Sequence, residues 1–152
     1  ARRKGLGIIF NAAPMGEDVL RLPLDAVELL IVNEIEGAAL TGKQVAEDIL
    51  NDLINSFPDL KVVITLGKEG ARYADQNTRL SASSPRVATV DSTGAGDTFT
   101  GYFIAAYSQG QSIEEALTLG CNAAALSVTQ SGAASSIPTK QELTTFLLNN
   151  AP

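Results

Sequence analysis

The stretch DSTGAGD, from Asp91 to Asp97, decides how this chain is interpreted. It is followed by a long apolar segment, Thr98 to Gln109, which ends at Gly110. A segment that is apolar on nearly every side predicts a buried helix, and a glycine just beyond it is typical of a helix C-terminus. The two glycines of the stretch would leave backbone N–H groups at the helix N-terminus open to an anion, which the helix dipole also favours.

Such a turn suits the charge that spreads over a phosphoryl group during its transfer. Asp97 ends the turn, where its carboxylate could accept the proton of an attacking hydroxyl. The helix dipole should keep this carboxylate ionised and weakly basic, which is sufficient when proton transfer comes late in a loose transition state. Spacing alone leaves a structural alternative open, in which Asp97 is only an N-cap and the glycines only make a tight turn.

Two other glycine patterns do not predict nucleotide loops. Residues 37–43 match the spacing of a P-loop up to Lys43, but Gln44 stands where Ser or Thr must hold Mg²⁺. Gly94-x-Gly96 lacks the third glycine of a dinucleotide fingerprint, because Phe99 occupies its position.

Strands and helices alternate along the chain. The apolar runs predict strands over residues 7–10, 29–32, 62–66, 71–74 and 78–81. Helical periodicity and capping residues predict helices over 33–40, 43–57, 98–109, 112–129 and 139–149. This order predicts an α/β fold, a doubly wound and mainly parallel sheet with helices on both faces. No linker-like segment interrupts it, so we expect a single domain over residues 1–152.

Polar residues follow two of the predicted strands. Asn33 and Glu36 come directly after residues 29–32, and the run Thr65–Gly70 ends the next strand. Ligands bind open α/β sheets at the carboxyl ends of the strands, which would place Asn33 near nucleotide phosphates and Glu36 near Mg²⁺. The structural alternative is a capping box for Asn33 and Glu36, with the glycines of the run as ordinary turn residues.

The amino-acid composition argues against several kinds of partner and catalytic site. The formal net charge of −6 argues against nucleic acid as the main partner. The chain has no histidine, which removes Ser–His triads, histidine bases and histidine metal ligands. Cys121 is the single cysteine and lies among Ala and Leu on a predicted helix, so we expect it to be buried and unreactive. No apolar run is long enough to span a bilayer, and we expect a cytoplasmic protein with no membrane partner.

Together and in this order, these segments resemble the ribokinase (phosphofructokinase-B type) carbohydrate kinase family. Asp91–Phe99 is similar to the C-terminal signature of that family, Asn33–Gly42 to its Asn-x-x-Glu segment, and Ile64–Gly70 to its nucleotide loop. Asn11–Pro14 and Val128–Ala133 resemble the ribokinase branch in particular. The resemblance covers nearly the whole chain and implies a ribokinase-like fold, of which only the C-terminal part is present. The N-terminal half, with its Gly-Gly sugar-binding motif and β lid, would be absent.

The resemblance implies a role for each candidate residue. Asp97 would be the catalytic base and touch the sugar hydroxyl, beside an anion hole formed by Gly94, Ala95 and Gly96. Asn33 would contact ATP, and Glu36 would help to place Mg²⁺. The nucleotide site would be lined by Thr65, Leu66, Gly67, Lys68, Glu69, Gly70 and Gly96, with Cys121 near the adenine, where the family usually has Asn or His. K⁺ would be held mainly by backbone oxygens, at the positions Asp91, Thr93, Ser127, Gln130, Gly132 and Ser136.

The activity implied by the resemblance is the phosphorylation of a pentose by ATP, giving D-ribose 5-phosphate from D-ribose. A second possibility is another sugar or nucleoside kinase of the family, for example a fructokinase. A third is a non-catalytic module that binds adenine nucleotides. We expect the full-length parent to form a homodimer, and we do not expect this fragment alone to hold the sugar.

Overall fold

A computed structural model describes residues 1–16 and 19–149 of the chain. Within these residues, five strands form one sheet in the order β1-β2-β3-β4-β5. The strands are β1 Ile9–Asn11, β2 Leu29–Asn33, β3 Lys61–Thr65, β4 Ala71–Ala74 and β5 Arg79–Ala82. All the strands predicted from the sequence are present, with ends that differ by at most two residues.

The first three strands run parallel. Ile9 pairs with Leu29 across β1 and β2, and Asn33 pairs with Thr65 across β2 and β3. The central residues of β2 and β3 are fully buried, as parallel strands covered on both faces require. This register brings the carboxyl ends of β2 and β3 side by side, so that the polar residues Asn33 and Thr65 lie opposite each other.

A tight hairpin joins β4 to β5, as the sequence predicts. The Asp75 N–H donates to Thr78 O (3.1 Å), and Asp75 Oδ1 accepts from the N–H groups of Asn77 and Thr78, both at 2.8 Å. A connection this short can only join antiparallel strands. The sheet is therefore mixed, with a parallel part followed by an antiparallel hairpin.

The helices are α1 Glu34–Thr41, α2 Ala46–Ser56, α3 Ala95–Ser108, α4 Ile113–Ser127 and α5 Lys140–Asn149. The predicted capping box of α4 is present, since Ser112 Oγ accepts from the Glu115 N–H (3.2 Å) and Glu115 Oε2 from the Ser112 N–H (2.8 Å). Thr139 and Glu142 form the same arrangement at the start of α5. The start of α2 was predicted wrongly at residue 43: Val45 is its N-cap and remains 57% exposed, outside the apolar face.

Two expectations about α3 were also wrong. It begins at Ala95, three residues before the predicted start, because Gly94 in the left-handed conformation (φ 77°, ψ 4°) turns the chain into the helix. Glycine is a poor helix former, so the residue type at Gly96 gives no sign of this earlier start. The helix is also not buried all round, since Gly101 and Ala105 lie on an exposed side.

The described residues group into two compact units. Unit 1 comprises Ala1–Leu66 and Arg72–Leu80, and unit 2 comprises Gly67–Ala71 with the chain from Ser81 onward. The single domain expected over residues 1–152 stays a prediction. None of the described helices combines the length and the hydrophobicity that crossing a membrane requires.

Each unit has its own buried core. In unit 1, α2 packs its apolar face on one side of the sheet, where Ile49, Leu50, Leu30 and Ile64 are completely buried. In unit 2, α3 and α4 pack so closely that a Cβ at Gly120 would lie 2.8 Å from the Phe99 ring. That ring stacks in turn on the ring of Phe103, with centroids 5.8 Å apart.

The core of unit 1 gives a direct test of the fold. We expect Leu50→Ala to lower the free energy of unfolding by about 2–5 kcal/mol, because Leu50 is fully buried and its truncation leaves a cavity. The matched control is Leu148→Ala, whose side chain is 75% exposed, with an expected change within about 0.5 kcal/mol. Urea denaturation followed by circular dichroism measures both free energies of unfolding. Equal losses of stability in the two variants would contradict the buried position of Leu50 in the core.

Candidate active site

The candidate site residues lie in both units. Asn33, Glu36, Thr65 and Leu66 belong to unit 1. Unit 2 contains the glycine turn and the other candidates: Gly67, Lys68, Glu69, Gly70, Asp91, Thr93, Gly94, Ala95, Gly96, Asp97, Cys121, Ser127, Gln130, Gly132 and Ser136.

Asn33 and Glu36 form the capping box of α1. Asn33 Oδ1 accepts from the Glu36 N–H (2.9 Å), and Glu36 Oε2 accepts from the Asn33 N–H (2.8 Å). The structural interpretation of this pair is therefore correct, and Glu36 is only 6% exposed. Within the described part of the chain the cap engages only one carboxylate oxygen of Glu36, so Oε1 remains for another ligand.

Residues 37–43 form no phosphate cradle. They run from the middle of α1 to just beyond it, and Thr41 Oγ1 donates to Gly37 O at 2.8 Å inside the helix. The rejection of a P-loop from the sequence is confirmed.

Thr65 and Leu66 end β3 in different environments. The Thr65 hydroxyl lies near the end of β2, 3.5 Å from Val32 O. Leu66 is 7% exposed and joins the apolar core, so only its backbone remains for the nucleotide contact expected of it.

The glycine turn of unit 2 has the open geometry that an anion requires. Gly94 is the N-cap of α3, and no side chain caps the helix there. A Cβ built on Gly96 would meet no protein atom within 4 Å. Nothing in residues 1–16 and 19–149 accepts a hydrogen bond from the N–H groups of Gly96 and Asp97, whereas the Ala95 N–H donates to Ser92 O at 3.2 Å. Of the three residues expected to form the anion hole, Ala95 therefore has an engaged N–H, whereas the N–H groups of Gly94 and Gly96 donate to no acceptor in the described part of the chain.

Asp97 is the third residue of α3 and is exposed. The alternative in which Asp97 is only the N-cap is therefore wrong, because Gly94 holds that position. A carboxylate in the first turn of a helix is stabilised by the helix dipole.

Asp91 ties the glycine turn to the loop after α4. Its Oδ1 accepts from the N–H of Thr93 (2.9 Å) and from Thr93 Oγ1 (2.7 Å), and its Oδ2 accepts from the Gly132 N–H (3.0 Å). These hydrogen bonds, with the Gly132 N–H first, lower the pKa of the Asp91 carboxyl from 3.8 to about 2. Beside this link, a Cβ at Gly94 would lie 3.3 Å from Ala133 Cα, so the two loops are also in contact.

The remaining candidates for the K⁺ site follow the loop after α4. Ser127 Oγ donates to Ala124 O (2.8 Å), Ser136 Oγ to Ala133 O (2.9 Å), and the Gln130 N–H to Ser127 O (3.2 Å). The structure thus joins Thr93 and Gly132 through Asp91, while Ser127 ends α4 and Gln130 and Ser136 lie along the loop that follows. The described residues include no cluster of three His, Cys, Asp or Glu side chains suited to a metal ion. A cation there would depend mainly on backbone oxygens.

Gly70 and Cys121 meet at one backbone carbonyl, that of Ala82. Gly70 has φ 103°, and a Cβ there would overlap Ala82 O. Cys121 Sγ lies 3.6 Å from the same oxygen. Cys121 is 3% exposed, and burial raises the pKa of its thiol to about 11. The predicted burial of Cys121 is confirmed, while its lack of reactivity and its contact with adenine stay predictions.

Thr98 is a residue of this region that the sequence analysis did not single out. It is 1% exposed, and its hydroxyl donates to Gly94 O. The available signal was its place four residues after Gly94, since a Thr in a helix commonly donates to the carbonyl four residues earlier.

The Asp91 link gives a pH-dependent prediction. A folded-state pKa below the ordinary value means that ionised Asp91 stabilises the fold fully above about pH 4, and that this stabilisation is lost as the pH falls towards 2. We expect Asp91→Asn to be less stable than wild type at pH 6, with the difference shrinking between pH 4 and pH 2. Urea denaturation at several pH values measures it, and a difference independent of pH would contradict the link.

The sequence profile of the pfkB family carbohydrate kinases matches residues 2–140 of the chain. Among curated proteins, ribokinase of Haemophilus influenzae is 36% identical over 154 aligned residues, covering 97% of this chain and 49% of that protein. The chain therefore spans about half the length of the curated relatives it matches.

Solved structures show the same similarity to ribokinases. Ribokinase of Thermotoga maritima superposes with a TM-score of 0.83 at 33% identity, covering 97% of this chain and 51% of that one. Arabidopsis thaliana ribokinase complexed with ribose and ATP gives 0.82 at 30% identity, with 95% and 48% covered. An E. coli protein described as ribokinase II, in complex with ATP and Mg²⁺, gives 0.86 at 26% identity, with 98% and 51% covered. The predicted ribokinase-like α/β fold is confirmed.

Proteins with a comparable similarity to this chain have names other than ribokinase. Deoxyribokinase of Salmonella typhi is 29% identical, covering 98% of this chain and 50% of that protein. The structure of aminoimidazole riboside kinase from Salmonella enterica has a TM-score of 0.83 at 25% identity, with 96% of this chain and 54% of that one covered. These similarities therefore identify the family of the chain, but not the molecule that accepts the phosphoryl group.

Proposed function

This chain belongs to the pfkB family of carbohydrate kinases, and we propose that the protein carrying it transfers the γ-phosphoryl group of ATP to a pentose, converting D-ribose to D-ribose 5-phosphate. The observation that carries the proposal is the open first turn of α3. Free N–H groups at Gly96 and Asp97, open space at Gly96 and an exposed carboxylate at Asp97 occur together there.

Asp97 acts as the base in this proposal. It takes the proton of the sugar hydroxyl as that oxygen bonds to the γ-phosphorus, and the bond from phosphorus to the bridging oxygen of ADP breaks. A weak base suffices, because bond formation lags behind bond cleavage in a loose transition state. The free N–H groups of the turn stabilise the charge on the phosphoryl oxygens, which is the largest contribution such sites usually make.

Glu36 would hold Mg²⁺ or one of its waters. Mg²⁺ is usually bound by one or two carboxylates together with substrate phosphates. The buried Glu36 carboxylate is oriented by its capping bond to Asn33, which leaves Oε1 for this purpose. Mg²⁺ supplies charge neutralisation on the phosphates, while Asn33, the backbone of Leu66 and the turn Gly67–Gly70 contact the nucleotide.

K⁺ would occupy the space between the Asp91 segment and the loop after α4. The Ser127 and Ser136 hydroxyls donate to carbonyls, which leaves their oxygen lone pairs available beside the backbone oxygens that we expect to be the main ligands. A cation there would fix the loop that packs on Gly94, and through it the glycine turn. The homodimer expected of the full-length parent stays a prediction, which sedimentation velocity can test.

A different acceptor, such as deoxyribose, fructose or a riboside, is the main alternative, since relatives with such names are nearly as similar. Comparing kcat/KM across ribose, deoxyribose, fructose and aminoimidazole riboside with the full-length gene product identifies the acceptor. A non-catalytic nucleotide-binding module is the second alternative. ATP–Mg²⁺ binding without ADP formation from any acceptor by the full-length gene product would favour it.

We expect Asp97→Ala to lower kcat for ribose-dependent ADP release by about 10²–10⁴-fold, because it removes the base. The affinity for ATP should change little, since Asp97 acts on the acceptor. Asp59→Ala, which removes an exposed carboxylate elsewhere, is the control and should keep wild-type kcat. A coupled ADP assay on the full-length gene product measures all three proteins, and full activity in Asp97→Ala would exclude this mechanism.

We also expect kcat to be several-fold higher in KCl than in tetramethylammonium chloride at equal ionic strength. The bulky organic cation cannot enter a site formed by backbone oxygens, whereas K⁺ can. The same ADP assay compares the two salts. Identical rates in the two salts would contradict the proposed cation site, but not the rest of the proposal.

A further inference from the structure

A buried hydroxyl lies directly beneath the glycine turn. Thr98 is 1% exposed, and both its N–H and its Oγ1 donate to Gly94 O, each at 2.9 Å. We propose that Thr98 is a positioning residue for the anion-binding turn of α3, an inference that rests on the proposed phosphoryl transfer. Thr98 itself is too buried to touch a substrate.

The Gly94 carbonyl is an effective place to hold this turn. The carbonyl and the Ala95 N–H share one rigid peptide plane, so the direction of the first fixes the direction of the second. Helices usually begin with a Ser, Thr, Asp or Asn whose side chain restrains the first turn, and Gly94 has no side chain to do so. Two donors on one carbonyl restrict the rotation of this plane more than one donor does. The free N–H groups of Gly96 and Asp97 follow immediately.

Stability alone does not account for this hydroxyl. If the hydroxyl were removed, Gly94 O would still accept from the N–H of residue 98, so no buried acceptor would be left unsatisfied. Bonds from a Thr hydroxyl to the carbonyl four residues earlier are also neutral or slightly destabilising in helices. The expected gain is therefore in the orientation of the turn.

Orientation of these donors matters most when charge develops on the transferring group. Interactions stronger in the transition state than in the ground state raise kcat, whereas uniform binding changes KM. Loss of the Thr98 hydroxyl should therefore lower kcat while the KM for ATP stays nearly constant. A purely structural role would instead lower the fraction of folded protein.

The test compares three variants of the full-length gene product. Thr98→Val keeps the shape but removes the hydroxyl, and Thr98→Ser keeps the hydroxyl. Thr144→Val is the matched control, because Thr144 Oγ1 makes the same kind of bond to Lys140 O (2.8 Å) in α5. We expect kcat to fall about 10- to 100-fold in Thr98→Val, the scale of small misplacements in active sites. Thr98→Ser should recover most of this loss, Thr144→Val should match wild type, and the melting temperatures should stay close together.

Several outcomes would overturn the proposal. A wild-type kcat in Thr98→Val would show that the hydroxyl positions nothing. An equal loss in Thr98→Ser would assign the effect to the methyl group. A loss of kcat that follows a lowered melting temperature would make the role structural.

Amide hydrogen exchange on the full chain separates this inference from the proposed function, because it needs no substrate. The residue-98 amide donates to Gly94 O and reports on the turn directly. We expect it to exchange about two- to tenfold faster in Thr98→Val than in wild type or Thr98→Ser, because the first turn of α3 opens locally more often when one donor to Gly94 O is lost, while the melting temperature stays nearly the same. Equal exchange overturns the positioning role. A wild-type protein that phosphorylates no acceptor would sink the proposed function, while the exchange rates would still decide whether Thr98 orders the turn.

Discussion

The left-handed turn at Gly94 sets the geometry of the candidate site. It determines where α3 begins, which N–H groups remain free, and that Asp97 lies in the first turn of the helix. Neighbouring groups hold this one residue from two directions: Ala133 packs against it, and Thr98 donates to its carbonyl. A side chain at this position would be strained by the positive φ and would approach the backbone of Ala133.

The capping box of α1 shows that structural and functional interpretations of a motif need not compete. Asn33 and Glu36 satisfy each other's backbone N–H groups, which any helix start requires. The same bonds fix the direction of a buried carboxylate at the carboxyl end of β2. The same two hydrogen bonds therefore cap the helix and orient a carboxylate oxygen as a ligand. The sequence pattern could not distinguish between these two roles.

Short-range features were predictable from the sequence because they are encoded locally. Apolar runs identified every strand, and the Ser112 and Thr139 caps gave correct helix starts. The start of α3 was missed because a backbone conformation at Gly94 decides it, against the low helix propensity of Gly96. Contacts between distant segments were equally invisible: the Cys121–Ala82 contact joins residues 39 positions apart, and nothing in their spacing encodes it. For Cys121, the sequence therefore predicted burial but not its partner.

The bond from Asp91 to the Gly132 N–H joins residues 41 positions apart and acts between a side chain and the backbone. Gly132 offers that N–H from a left-handed backbone conformation (φ 105°), and a Cβ there would overlap Ser135 Oγ. Glycine is therefore required at this position, and the loop must also keep its length and path. Two distant stretches of the gene are in this way inherited as a single spatial unit, matched by loop length and by one glycine.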